Sequence, residues 1–124
     1  MAGPQIDGGE IANWPILKID YRTDKARIAS LLPPGIDPGR EPNVHLSIYQ
    51  VAVPDVPEYG IFITVDADYR GVQGVYTLGY GIDQESAIFI SRDMNGQPKF
   101  PCQTDYYRFG DAVTARCTHQ GYSF

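Results

Sequence analysis

Lys99 stands in the stretch Asn95-Gly96-Gln97-Pro98-Lys99-Phe100-Pro101, between two prolines, with an aromatic ring beside it and no neighbouring cation. A lysine amine is nucleophilic only when deprotonated, and burial against apolar groups disfavours its charged form. A lysine stiffened by prolines and flanked by an apolar residue is therefore a candidate Schiff-base nucleophile. The alternative is an ordinary solvated lysine following a turn. Two other residue types could do chemistry. His45 falls on the second face of an alternating segment, where a hydrogen-bonded or solvated imidazole is expected rather than a catalytic one. Cys102 and Cys117 would lie opposite each other if a hairpin turned at Phe109-Gly110. A disulfide is conceivable in that geometry, but free thiols are expected. Neither cysteine has metal-ligand spacing with His45 or His119, so no zinc site is expected.

The element that must position Lys99 is a helix over roughly Asp83 to Met94. Asp83 suits its N-cap, Ile82 can staple onto Ala87, and Glu85 complements the N-terminal dipole. Its buried stripe is read as Ala87, Ile90 and Met94, with Glu85 and Arg92 on another side. Asn95-Gly96 suits a left-handed stop, and Pro98 forbids resumption. A first helix is expected after Thr23 or Asp24, burying Ile28, Leu31 and Leu32 and ended by Pro33-Pro34-Gly35. The rest reads as strand. Pro15 to Tyr21 is a short strand, and Asn43 to Val51 alternates, with Val44, Leu46 and Ile48 on one face and His45, Ser47 and Tyr49 on the other. Ile61 to Val65 is a buried strand, Asp66 to Gly71 a turn, and Val72 to Gly81 a strand whose Gly74, Gly79 and Gly81 leave room for a bend or a close ligand. Cys102 to Tyr107 and Ala112 to Thr118 form a hairpin around Gly110-Asp111. Residues 1–13 read as a flexible arm, and the end at Gly121-Tyr122-Ser123-Phe124 lacks a closing element.

A chain of 124 residues is one domain at most. Its net charge of -5 excludes a nucleic-acid surface as the default reading. No apolar run approaches membrane-spanning length, and the first residues lack the pattern of a signal peptide, so a cytoplasmic protein with no membrane partner is expected.

Tyr21-Arg22-Thr23-Asp24, then Leu32-Pro33-Pro34-Gly35, then Arg92-Asp93-x-x-Gly96-x-Pro98-Lys99 together resemble the acetoacetate decarboxylase family, over its N-terminal half or so. The resemblance implies a mainly β fold with two short helices, an antiparallel barrel or cone that is incomplete here, assembling into homo-oligomers. It also implies a β-keto acid as substrate, decarboxylated through an imine of Lys99. No metal or organic cofactor is then needed, because the imine is itself the electron sink. Aldolase- or dehydratase-type enamine chemistry on a keto acid, or a non-catalytic small-molecule binder, are the alternatives. Glu58 falls near the family's pocket glutamate if two extra residues are allowed in the Asp66–Tyr69 turn, as proton shuttle or pocket acid; a solvated loop carboxylate is the other reading. Arg92-Asp93 matches an arginine-acid pair that organises the pocket, unless it is a surface pair. The resemblance further places Trp14, Tyr80, Arg92, Gln97 and Phe100 in the substrate pocket. Phe100 stands where the decarboxylase has a second lysine, Trp14 where its pocket arginine aligns, and Gln97 where an aromatic precedes the proline. Apolar burial can still lower the amine pKa beside Phe100, so a Schiff base survives that change, while Trp14 and Gln97 suit a larger or differently substituted acid than acetoacetate.

Overall fold

The computed structural model describes residues 15–51 and 57–124; the expected arm and Trp14 lie outside them. The fold is mainly β with two short helices. Its larger sheet is built around β3 (Asn43–Val51), which pairs antiparallel with β1 (Ile16–Arg22) on one side and β4 (Glu58–Tyr69) on the other. β4 also carries the two-residue β2 (Asp37–Pro38) and then β5 (Val72–Ile82), and β6 (Lys99–Pro101) closes that edge in parallel with β5. A smaller sheet of β7 (Gln103–Phe109), β8 (Ala112–His119) and β9 (Tyr122–Ser123) packs against it. The sheets stay open rather than closing into a barrel.

The alternation in β3 decides what lies on each face. Val44 and Ile48 are buried on one side. There Val44 meets Ile28 of α1 (Lys25–Leu31), and Ile48 meets Ile61, Cys102 and Cys117. On the other face Tyr49 and Val51 pack with Ile82 and with Ile88 of α2 (Glu85–Asn95). Ile61, Val65 and Ile82, each 1% exposed or less, form the centre. Burying each such side chain contributes about 1.5–3 kcal/mol.

Several local expectations change. In α2 the buried residues are Ile88 and Ser91, while Ile90 and Met94 are 59% and 80% exposed. The helix is rotated so that Ile88 and Ser91, with Ala87 beside them as expected, meet the sheet, Ile88 packing on Tyr49, Val51 and Ile82. Gln84, not Asp83, is the N-cap, and it makes no side-chain cap. Asp83 instead accepts the backbone N–H of Tyr59 at 3.0 Å, tying the strand to the helix approach. In α1 only Ile28 is buried; Leu31 is exposed because the helix ends there and Leu32 turns extended. Asp66 and Asp68 belong to β4, and the turn is confined to Arg70-Gly71, both at positive φ. A further short strand, β9, follows the last hairpin: Gln120-Gly121 turns β8 into it, and Phe124 exchanges two backbone hydrogen bonds with Cys117. The last hairpin turns at Gly110-Asp111, with Phe109 opposite Ala112, so Cys117 faces Thr104 and Cys102 sits diagonally from it. Both cysteines are free thiols.

Candidate active site

The end of α2 sets the position of Lys99. Gly96, at φ 63°, donates to the Arg92 carbonyl, and Gln97 donates to the Ser91 carbonyl, each at 3.2 Å. This pair of bonds caps the helix and turns the chain sharply. Pro98 cannot donate, but its carbonyl accepts the Tyr80 N–H at 3.0 Å, which docks the following residues as a parallel strand on β5. Lys99 then lies beside Tyr80. It is half-buried, and its Nζ donates to Ser91 Oγ at 3.0 Å. The helix that aims the lysine therefore also supplies its polar partner.

From Lys99 a row of aromatic rings runs across the same face. Tyr80 meets Phe62 edge-on at 4.6 Å, and Phe62 meets Tyr49 at 4.9 Å. The Tyr49 hydroxyl, 3% exposed as a residue, donates to Glu58 Oε2 at 3.0 Å. Burial, reinforced by the Glu58 charge, pushes the Tyr49 phenol well above its ordinary range, so it remains a neutral donor. Gly60 makes this possible: a Cβ there would lie 2.5 Å from the Tyr49 hydroxyl oxygen. Glu58 is thus tied to the far end of this row by Tyr49, and no ion pair joins it to Lys99 among the described residues.

The other expected pocket residues are dispersed. Phe100 points to the opposite face, where its ring fills the space above Gly79 and Gly81 and touches His119 at 4.8 Å. Those glycines make room for Phe100 and Cys102 rather than for a ligand, while Gly74 is open. Gln97 is exposed at the helix end. Arg92 lines a separate cleft of about 640 Å³ between α2 and β8, with Ile82, Phe89, Cys102 and His119, and Lys99 is not on its walls. His45 is satisfied, as expected. Its Nδ1 and Nε2 meet Asp20 at 2.6 Å and Asp66 at 2.7 Å, and Asn43 donates to the second oxygen of Asp66. Two ionised carboxylates only accept, so this pairing favours the doubly protonated ring, and the His45 pKa is raised first by the Asp66 bond and then by the Asp20 bond.

Sequence reasoning missed Ser91, Phe62 and Tyr49 as neighbours of the lysine's face. A signal existed for Ser91: it follows Ile88 by three positions, on the same helix side. Tyr49 and Phe62 needed the strand register.

The sequence model of the acetoacetate decarboxylase (ADC) family matches residues 2–124. Acetoacetate decarboxylases of Paraburkholderia phytofirmans and Paraburkholderia xenovorans are each 32% identical over 91 residues, covering 70% of this chain and 35% of their own length. The crystal structure of acetoacetate decarboxylase from Legionella pneumophila matches with a TM-score of 0.74 at 20% identity, over 99% of this chain and 52% of that one. The enduracididine biosynthesis enzyme MppR, solved with the condensation product of pyruvate and imidazole 4-carboxaldehyde, matches with a TM-score of 0.67 at 18% identity, over 87% of this chain and 50% of its own. At such identities these two structures speak for the fold alone. The chain spans about half the length of the solved relatives and 35% of the curated ones. With the family's sequence model matched across nearly all its residues, this chain belongs to the acetoacetate decarboxylase family.

Proposed function

We propose that the chain carries the Schiff-base site of a lyase acting on a β-keto acid, with Lys99 as nucleophile. The observation that carries this reading is the fixed Lys99 amine, held by Ser91 beside Tyr80 in a chain of this family. The Nζ lone pair adds to the ketone carbon, and loss of water from the carbinolamine leaves a cationic imine. The bond to the carboxylate breaks, its electron pair passes to the imine nitrogen, and carbon dioxide leaves. Protonation of the enamine carbon and hydrolysis then return the amine. Tyr80 is the substrate contact nearest the lysine in register, and the rings of Phe62 and Tyr49 extend an apolar wall. Glu58 serves as pocket acid, its carboxylate oriented by the Tyr49 hydroxyl.

A second reading has its own support. MppR, solved in complex with the condensation product of pyruvate and imidazole 4-carboxaldehyde, shares the fold, and an enamine at Lys99 could attack an aldehyde instead of accepting a proton. The two readings separate by product. The chain is incubated with acetoacetate, and carbon dioxide release is followed; in parallel it receives pyruvate with an aromatic aldehyde, and condensed product is followed. Decarboxylation above the Lys99→Ala background supports the first reading, and condensation alone supports the second. Equal rates for wild type and Lys99→Ala in both assays would remove the lyase reading.

A further inference from the structure

We propose that Cys102 and Cys117 form a dithiol site oxidised by hydrogen peroxide, with Cys102 reacting from the wall of the cleft and Cys117 resolving it to a disulfide. The two thiols belong to one buried cluster, 3% and 0% exposed, under Ile48 and Ile61. In the register of the last hairpin Cys117 faces Thr104, and Cys102 lies two residues before Thr104 on the same side. The Thr104 hydroxyl bridges them, 3.9 Å from one sulfur and 3.8 Å from the other. Both sulfurs therefore lie within hydrogen-bonding reach of one hydroxyl.

The pair is asymmetric in access. Cys102 forms part of the wall of the 640 Å³ cleft, beside Gln103, Thr118 and His119, whereas Cys117 stands behind it and lines no part of that space. A small oxidant therefore meets Cys102 first. It is asymmetric in protonation as well. The bond from Cys117, with help from Thr104, holds the Cys102 thiol below its ordinary range against the opposing effect of burial. Cys117 is pushed up by the same bond and by burial. The attacking sulfur in thiol oxidation is the thiolate, and the thiol held lower is also the one on the cleft wall.

The chemistry balances with peroxide as the stated oxidant. The Cys102 thiolate attacks one peroxide oxygen, the O–O bond breaks, and hydroxide leaves, giving a sulfenic acid. The Cys117 sulfur then attacks Cys102 Sγ, its proton leaves with the departing hydroxyl as water, and the S–S bond forms. Two thiols lose two electrons and two protons, and one peroxide becomes two waters.

The test is a peptide map of the wild-type chain after mild hydrogen peroxide treatment, thiols alkylated before digestion. Trypsin separates the two cysteines, into residues 100–108 and 117–124. The expected result is those peptides joined, at a mass two hydrogens below their sum, within single chains. Cys117→Ala, in a sample whose thermal unfolding remains cooperative, is expected to stop at a dimedone-trappable sulfenic acid on Cys102. Cys102→Ala is expected to leave Cys117 at least tenfold less oxidised than Cys102 in that sample. Two unoxidised, alkylatable thiols in the wild type after tenfold excess peroxide would overturn the proposal. So would a sulfenic acid formed first on Cys117.

Discussion

Replacing Gly60 with alanine tests how Tyr49 and Glu58 are held. The added Cβ would sit 2.5 Å from the Tyr49 hydroxyl oxygen, 2.7 Å from the ring carbon that bears it, and 2.8 Å from the Gly81 carbonyl oxygen. Tyr49 cannot swing away freely, because it is 3% exposed and wedged against Phe62, Ile82 and Ile88. Overpacking of this kind costs about 1–3 kcal/mol. A displaced ring also loses its bond to the Glu58 carboxylate, and a bond to a charged group contributes about 1.5–3 kcal/mol, less where water can replace the phenol. Gly60→Ala is therefore expected to destabilise by about 2–5 kcal/mol. The assay is urea unfolding, with midpoint and slope compared for wild type, Gly60→Ala, Tyr49→Phe and the double variant. Tyr49→Phe removes the oxygen nearest the new Cβ, so the double variant should fall short of the summed losses by at least about 1 kcal/mol, the coupling that contacting residues show. A loss under ~1 kcal/mol for Gly60→Ala, or strict additivity in the cycle, would refute this reasoning.

Other outcomes follow from the same geometry. His45 has a raised folded pKa, so its contribution to stability is fully present below the unfolded value near 6.5 and is lost as pH rises through the raised value. Because the Asp20 partner is exposed, the loss is expected to be about 1–2 kcal/mol in urea melts compared at pH 6 and pH 9, and it should vanish in His45→Gln. Ile61→Ala, at a position 0% exposed, is expected to cost about 2–5 kcal/mol in the same assay. Ser91→Ala removes the hydroxyl that accepts from Lys99; imine trapping at Lys99 is expected to slow roughly fivefold, the equivalent of about 1 kcal/mol, with unfolding changed far less than by Ile61→Ala.

What could be read from the sequence, and what could not, divides along local and nonlocal information. β3 was legible to the residue because strict alternation marks a half-buried strand. The stop at Asn95-Gly96 was legible because a left-handed position and a following proline leave few alternatives. The orientation of α2 was not. Ile90 and Met94 are as apolar as Ile88, and only the ring of Tyr49 and the pairing of β5 with β6 select the side that turns inward. The short strand carrying Lys99 was missed, because a three-residue parallel strand has no periodicity and depends on the Tyr80–Pro98 bond across the sheet. Asp66 and Asp68 read as a turn by composition. Their place in β4 depends on partners far along the chain, His45 and Asn43 for the first and the β2 residue Asp37 for the second. The family was legible in Pro98-Lys99 and the residues before it. Ser91 and the aromatic row were fixed by tertiary contacts instead.

The central claim is that the Lys99 amine condenses with a keto acid. Borohydride reduction in the presence of pyruvate and, separately, acetoacetate tests it most directly, read by intact mass and by peptide mapping. The expected result is a reduced adduct on Lys99, absent from Lys99→Ala, with the better-trapped acid marking the substrate class. A chain that unfolds cooperatively yet carries no adduct on Lys99 with either acid would contradict the account.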